Sequence, residues 1–102
     1  MGRTRYKNYW YVVAQTMLRR YPGIKNEKGF QAVIFTQAIE KVIEDTAKLP
    51  DGELRLKAIQ LIYFDKTDTI DGASLKVHAS RRTVQRWCSA FINSVGRYAG
   101  FN

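Results

Sequence analysis

The sequence predicts an all-α domain of about five helices, because apolar residues recur at helical spacing and no segment keeps the two-residue period of a strand. The turn signals Pro22-Gly23 and Pro50-Asp51-Gly52 divide these helical runs. A chain of 102 residues has room for one compact domain with a modest core. The prediction is therefore a small helical domain, without repeats or low-complexity segments.

The N-terminal half is predicted to contain an arm and a scaffold. Residues 1–8 are polar and basic, and we expect them to form a flexible arm. Residues 9–50 form the helical scaffold, with one helix over about residues 8–21 and a second from near residue 26 to the break at Leu49-Pro50. The apolar faces of these helices are generous for so short a chain, so they also offer a surface through which a homodimer could form.

The C-terminal half, residues 53–97, has the pattern of a DNA-binding helix-turn-helix region. We expect a helix over residues 53–63, a polar link, a short helix over about residues 69–77, and a last helix that starts after Ser80 and ends near Arg97. The short helix carries the small pair Ala73 and Ser74, which lets two helices cross closely.

The turn between the last two helices has residues suited to its geometry. Val77 is expected to fill the angle between the helices. His78 stands where the backbone must turn, and His tolerates a left-handed conformation better than most residues. Ala79 should lie in the core beneath the turn, and Ser80 can cap the N-terminus of the next helix.

The last helix has one apolar face and one polar face. Its predicted inner residues are Val84, Trp87, Cys88, Phe91, Ile92 and Val95. Arg can bond both acceptors on a guanine edge, Gln can pair with adenine, and Ser or Thr can hold phosphate or base. The candidate DNA-binding residues are Ser80, Arg81, Arg82, Thr83, Gln85, Arg86 and Ser89.

The distribution of charge favours a polyanionic partner. The net charge is +8; residues 1–28 carry seven Lys or Arg against one acid, residues 29–71 carry five against eight, and residues 72–102 carry five and no acid. Further candidates for phosphate or minor-groove contacts are Arg3, Arg5 and Lys76, although an idle basic tail is the alternative for the first two. The basic pair Arg19 and Arg20 is open to the same two interpretations.

Two segments resemble a known family. They are AIEKVIEDT at residues 38–46 and IQLIYFDKTDTIDGASLKVHASRRTVQRW at residues 59–87. Together they resemble the RinA and ArpU group of phage-encoded transcriptional activators of Gram-positive bacteria, whose C-terminal portions look like region 4 of sigma factors. The resemblance implies a sigma region 4-like helix-turn-helix and control of phage or prophage genes, such as those for late functions or packaging.

Other functional classes have less support in the sequence. One His and one Cys cannot supply the about four ligands of a zinc site, and no nucleophile with a base or phosphate-binding loop is recognisable, so we expect neither metal, cofactor nor enzyme activity. No stretch reaches the ~20 apolar residues of a membrane span and none resembles a signal peptide, so a cytoplasmic location is expected. The alternatives that stay open are a phage packaging component similar to a small terminase subunit and a helical interaction domain that contacts RNA polymerase.

Overall fold

A computed structural model describes the backbone of residues 2–24 and 26–100 and the side chains of residues 9–24 and 26–100. Within these ranges the protein is all-α, with five α-helices and no strand, which confirms the predicted fold class. The helices are α1 (Gly2–Ile24), α2 (Phe30–Ala47), α3 (Gly52–Ile59), α4 (Ile70–Val77) and α5 (Arg81–Tyr98).

Helix α1 is longer at both ends than the sequence analysis expected. It begins at Gly2, so residues 2–8 are helical where we expected a flexible arm. Nothing between residues 3 and 21 breaks a helix, and each added turn forms further backbone hydrogen bonds. At the other end α1 continues through Pro22 to Ile24, whose side chain is buried in the core. Burial of Ile24 supplies a reason for the helix to extend past the proline.

The corner between α2 and α3 depends on Gly52. A Cβ atom at this position would overlap the backbone carbonyl oxygen of Thr46 and approach the backbone of Ala47. The amide of Gly52 also donates to the carbonyl of Leu49 over 3.0 Å. The Pro-Asp-Gly break is therefore confirmed as a tight corner that only glycine fits.

Helix α3 does not end as a regular α-helix but widens into a π-helical turn, Gln60–Phe64. The amide of Asp65 donates to the carbonyl of Gln60 over 2.7 Å, and the amides of Thr67 and Asp68 both donate to Leu61. Between them Lys66 takes a left-handed conformation with φ of 58°. The polar link predicted here is thus a hydrogen-bonded turn that leads directly into α4.

Helix α5 is the centre of the fold, because it packs against α1, α2, α3 and α4. By contrast, among the described elements α4 contacts only α3, the π-helical turn and α5. Among the described residues, no helix combines the length and apolar character that crossing a bilayer demands.

Trp87 and Cys88 are buried beside each other on α5, as predicted. Trp10 is half-buried and packs against Gly96 where α1 meets α5. Burial raises the pKa of the Cys88 thiol to about 11 and that of the neighbouring Tyr63 hydroxyl to about 12. Cys88 is thus an inert packing residue at neutral pH.

Candidate nucleic-acid interface

Helix α4 is held at its N-terminus by side-chain caps. The Oγ1 atom of Thr69 accepts a hydrogen bond from the amide of Gly72 over 3.2 Å. Near the same end, the hydroxyl of Ser74 donates to the carbonyl oxygen of Asp71 over 2.7 Å. A helix this short would be marginal alone, so these bonds and its packing on α5 hold it in place.

The crossing of α4 and α5 is close, as the sequence predicts. Ala73 is fully buried, and the side chains of Ser74 and Val77 are also buried. Small residues such as Ala73 and Ser74 let α4 approach α5 closely. The orientation of α5 is therefore fixed relative to α4 by direct packing.

The turn between α4 and α5 is a left-handed helix cap centred on His78. Its φ and ψ are 57° and 42°, which confirms the predicted left-handed conformation. The amide of His78 donates to Leu75, and the amide of Ala79 donates to Ser74 over 3.1 Å. These two bonds form the Schellman arrangement, which satisfies carbonyl groups in the last turn of α4 and ends the helix before α5 begins.

Ser80 caps α5, which confirms a second prediction about the turn. Its Oγ atom accepts from the amide of Thr83 over 3.1 Å and donates to the Thr83 hydroxyl over 2.9 Å. The hydroxyl of Ser80 is thus occupied by the cap, whereas the hydroxyl hydrogen of Thr83 is left for another acceptor. The backbone amides of Arg81 and Arg82, in the first turn, have no acceptor within the helix.

The inner face of α5 is the one predicted from its apolar spacing. All six residues of that face are buried: Val84, Trp87, Cys88, Phe91, Ile92 and Val95. This burial turns the opposite face of the helix to solvent.

Three of the predicted DNA-binding side chains form an open polar edge on α5. Arg82, Gln85 and Arg86 are exposed, and they lie within one turn of each other because their spacings are three and four residues. None of the three has an ion pair or a side-chain hydrogen bond with another described residue. We call Arg82, Gln85 and Arg86 the open edge.

Arg81 differs from the open edge because it already has a partner. Its Nε atom lies 2.9 Å from Oδ1 of Asp71, and both side chains are largely exposed. Sequence reasoning missed this pair, since the first turn of α4 and the first turn of α5 meet only after the helices cross.

Lys76, a predicted phosphate contact, is also paired. Its Nζ atom lies 3.0 Å from Oδ2 of Asp68, whose side chain is only 11% exposed. Asp68 lies against Gly72, where an added Cβ would come within 2.7 Å of its Oδ1. The ammonium group of Lys76 is therefore paired with a carboxylate in the free protein, and the predicted phosphate contact would have to replace this pair.

Ser89 does not lie on the outward face as expected. It is half-buried, and its hydroxyl lies 3.3 Å from the hydroxyl of Tyr11 on α1. Helix α1 crosses α5 at this level and removes Ser89 from the surface that Arg82 and Arg86 share. Helical spacing alone does not say where a neighbouring helix crosses, so this contact could not be predicted from the sequence.

The basic pair Arg19 and Arg20 lies in α1. The guanidinium of Arg19 lies 5.4 Å from the ring centroid of Tyr63, and Arg20 is 3.9 Å from Glu27 in an exposed pair. The side chains of Arg3 and Arg5 lie outside the described residues.

The open edge can donate and accept hydrogen bonds in the patterns that base edges present. Two guanidinium groups offer parallel donors, and the amide of Gln85 offers one donor group and one acceptor. These groups extend from a helix whose position is fixed by packing, which favours recognition of a rigid groove.

Comparison of the chain with family models, with curated proteins and with solved structures found no match.

Proposed function

We propose that this protein is a sequence-specific regulator of transcription that binds double-stranded DNA by placing the first turns of α5 in the major groove. The observation that carries the proposal is the open edge: two arginines and a glutamine, exposed and unpaired among the described residues, on a helix fixed by α4. An α-helix fits the width of the major groove, and Arg and Gln are the side chains that most often read guanine and adenine there.

The α4–α5 unit supports this proposal as a helix-turn-helix. Its first helix is short and crosses the second over a small pair, and its turn is a rigid left-handed cap at His78. The free amides of Arg81 and Arg82 are suited to a phosphate at the edge of the groove. The backbone amides would thus position α5 on the DNA backbone, and the side chains of the open edge would read the bases.

Charge pairing concentrates the basic character of this surface. Asp71 and Asp68 offset the charges of Arg81 and Lys76, so the uncompensated cations in α4 and the first two turns of α5 are Arg82 and Arg86. Contacts between these two residues and phosphates or guanines would release counterions from the duplex. Binding is therefore expected to weaken steeply as salt is raised.

The resemblance of residues 38–46 and 59–87 to the RinA and ArpU group refines the proposal. On this basis the protein is a phage or prophage regulator with a sigma region 4-like DNA-binding unit, and it activates late or packaging genes.

The test is selection of preferred duplexes from a random DNA pool at near-physiological salt. We expect the wild-type protein to enrich one motif and the Arg82→Ala/Arg86→Ala variant to lose most of that enrichment. The matched control is Lys28→Ala/Lys48→Ala, which removes the same charge from exposed positions flanking α2, a helix that does not contact α4.

The control distinguishes recognition from general charge attraction. Equal losses in the two double variants would contradict a role for the open edge in reading sequence. If the wild-type protein enriches no motif, the regulator proposal is wrong, and the packaging and polymerase-contact alternatives take its place.

A further inference from the structure

The ion pair between Arg81 and Asp71 links the two helices of the proposed DNA-binding unit at its exposed surface. Nε of Arg81, on the first turn of α5, lies 2.9 Å from Oδ1 of Asp71, on the first turn of α4. The exposed fractions of the two side chains are 63% and 73%. Of the three arginines at the start of α5, only Arg81 has such a partner among the described residues.

Stability of the free protein is a poor explanation for this pair. Two charges exposed to this extent are screened by water and by salt, and holding two mobile side chains together costs conformational entropy. The packing of Ala73, Ser74 and Val77 already fixes the helix crossing. The pair therefore adds little to the fold, but it does restrict the direction of one guanidinium group.

The atoms used by the pair leave the recognition edge of the arginine free. Donation from Nε to Asp71 leaves both terminal nitrogens, Nη1 and Nη2, to donate elsewhere. A guanine edge presents two acceptors, O6 and N7, which a guanidinium bonds with two parallel donors. A side chain already held by a carboxylate loses less freedom when it makes those bonds.

The carboxylate also disfavours the competing ligand. A phosphate that bonded the guanidinium group of Arg81 would be repelled by the adjacent carboxylate of Asp71, whereas a neutral base edge would not. Desolvation in a groove would strengthen the pair itself, because the surrounding water is removed.

We infer that Asp71 is a positioning and specificity-determining residue, which directs Arg81 to a guanine base rather than to a phosphate. The inference rests on the proposed DNA-binding function. It assigns Arg81 to base reading and predicts a G·C pair in the preferred site that depends on both residues.

The experiment compares the motifs enriched by the wild-type protein, Arg81→Ala, Asp71→Asn and the double variant. We expect one G·C position to lose about ten-fold of its preference in each single variant, while the other positions keep theirs. The double variant should lose no more than Arg81→Ala alone, because Asp71 acts through Arg81. The matched control is Glu53→Gln, which removes an acid from the first turn of α3 and should enrich the wild-type motif.

The outcomes separate this inference from the function on which it rests. If Asp71→Asn keeps the full motif and binds all duplexes more tightly, the carboxylate acts only by repelling DNA, and the inference is wrong while the regulator proposal stands. A uniform loss at every position would equally overturn it. If the wild-type protein enriches no motif, both proposals fail.

A readout of folding accompanies the selection. The thermal midpoint of Asp71→Asn should change no more than that of Glu53→Gln, since each substitution removes one acid from the first turn of a helix. A much larger fall for Asp71→Asn would identify the pair as a structural brace and contradict the positioning role.

Discussion

The indole ring of Trp10 lies over the backbone of Gly96, so that α1 and α5 meet where α5 carries no side chain. A Cβ atom at position 96 would fall within the space of the six-membered ring. The contact explains why an amphipathic helix as regular as α5 includes a glycine on its buried face.

Substitution Gly96→Ala should destabilise the protein by about 1–3 kcal/mol, because the added methyl group forces the ring away from α5. In an unobstructed helix the same substitution normally stabilises the protein, so a loss of stability would itself show that the ring obstructs the added methyl group. Urea unfolding would measure the change. The control is Gly23→Ala in α1, where no atom lies within 4 Å of the added Cβ; it should be neutral or stabilising by up to about 1 kcal/mol.

Substitution His78→Gly should raise the free energy of unfolding by about 0.5–1 kcal/mol, because glycine adopts the left-handed conformation without the steric cost that a Cβ carries. The variant His78→Ala keeps the Cβ and should show no such gain. A fall in stability for His78→Gly would mean that the imidazole contributes contacts that outweigh the strain. Chemical denaturation of the three proteins at one pH decides the matter.

Substitution Ser80→Ala should cost about 1 kcal/mol of stability, since the amide of Thr83 loses its acceptor. Replacement by Asp preserves the cap and should keep the wild-type stability. If Ser80→Ala and Ser80→Asp lower the urea midpoint equally, the hydroxyl serves some purpose other than capping.

Alkaline pH should destabilise the fold through Cys88 and Tyr63. Burial raises the pKa of Cys88 from 9.0 to about 11 and that of Tyr63 from 10.0 to about 12. The unfolded chain therefore releases these protons first, and stability that is complete below pH 9 is lost progressively between pH 9 and 12. The measurement is the free energy of unfolding at several pH values in this range.

The variant Cys88→Ala isolates one of the two groups. Its stability should fall less than that of the wild-type protein between pH 9 and 11, even though the variant starts from a lower value because a buried side chain has been shortened. Identical pH slopes for the two proteins would show that folding does not raise the pKa of the thiol.

Removal of Lys76 should weaken duplex binding less than removal of Arg86, because Lys76 must leave Asp68 before it can reach a phosphate. We expect Arg86→Ala to reduce the steepness of the salt dependence of affinity and Lys76→Ala to leave it nearly unchanged. Fluorescence anisotropy with a labelled duplex, titrated at several salt concentrations, gives both slopes. A larger effect of Lys76→Ala than of Arg86→Ala would contradict the assignment of Lys76 as the paired cation and Arg86 as the cation that contacts DNA.

The local features of α4, its turn and α5 could be predicted from the sequence because short-range physics determines them. Capping by Ser80, the left-handed turn at His78 and the small residue Ala73 at the crossing each depend on residues a few positions apart. The buried face of α5 follows in the same way from helical spacing.

Contacts between distant segments could not be predicted in this way. The partner of Arg81 lies on another helix, and Ser89 is covered by Tyr11 from the opposite end of the chain. Periodicity identifies which face of a helix is buried, but it does not identify the crossing helix. The extension of α1 past Pro22 was missed for a related reason, because burial of Ile24 outweighs a local breaking signal.

Helix α5 contacts every other helix of the described chain, and this has a thermodynamic consequence for binding. A segment that is ordered before it meets its ligand has little backbone entropy left to lose. Calorimetry of the complex should thus show a heat capacity change that reflects the surface buried at the interface alone, without the larger contribution of coupled folding. Substitutions in the open edge can then alter which bases are recognised, while the buried face of α5 keeps the helix in the same place.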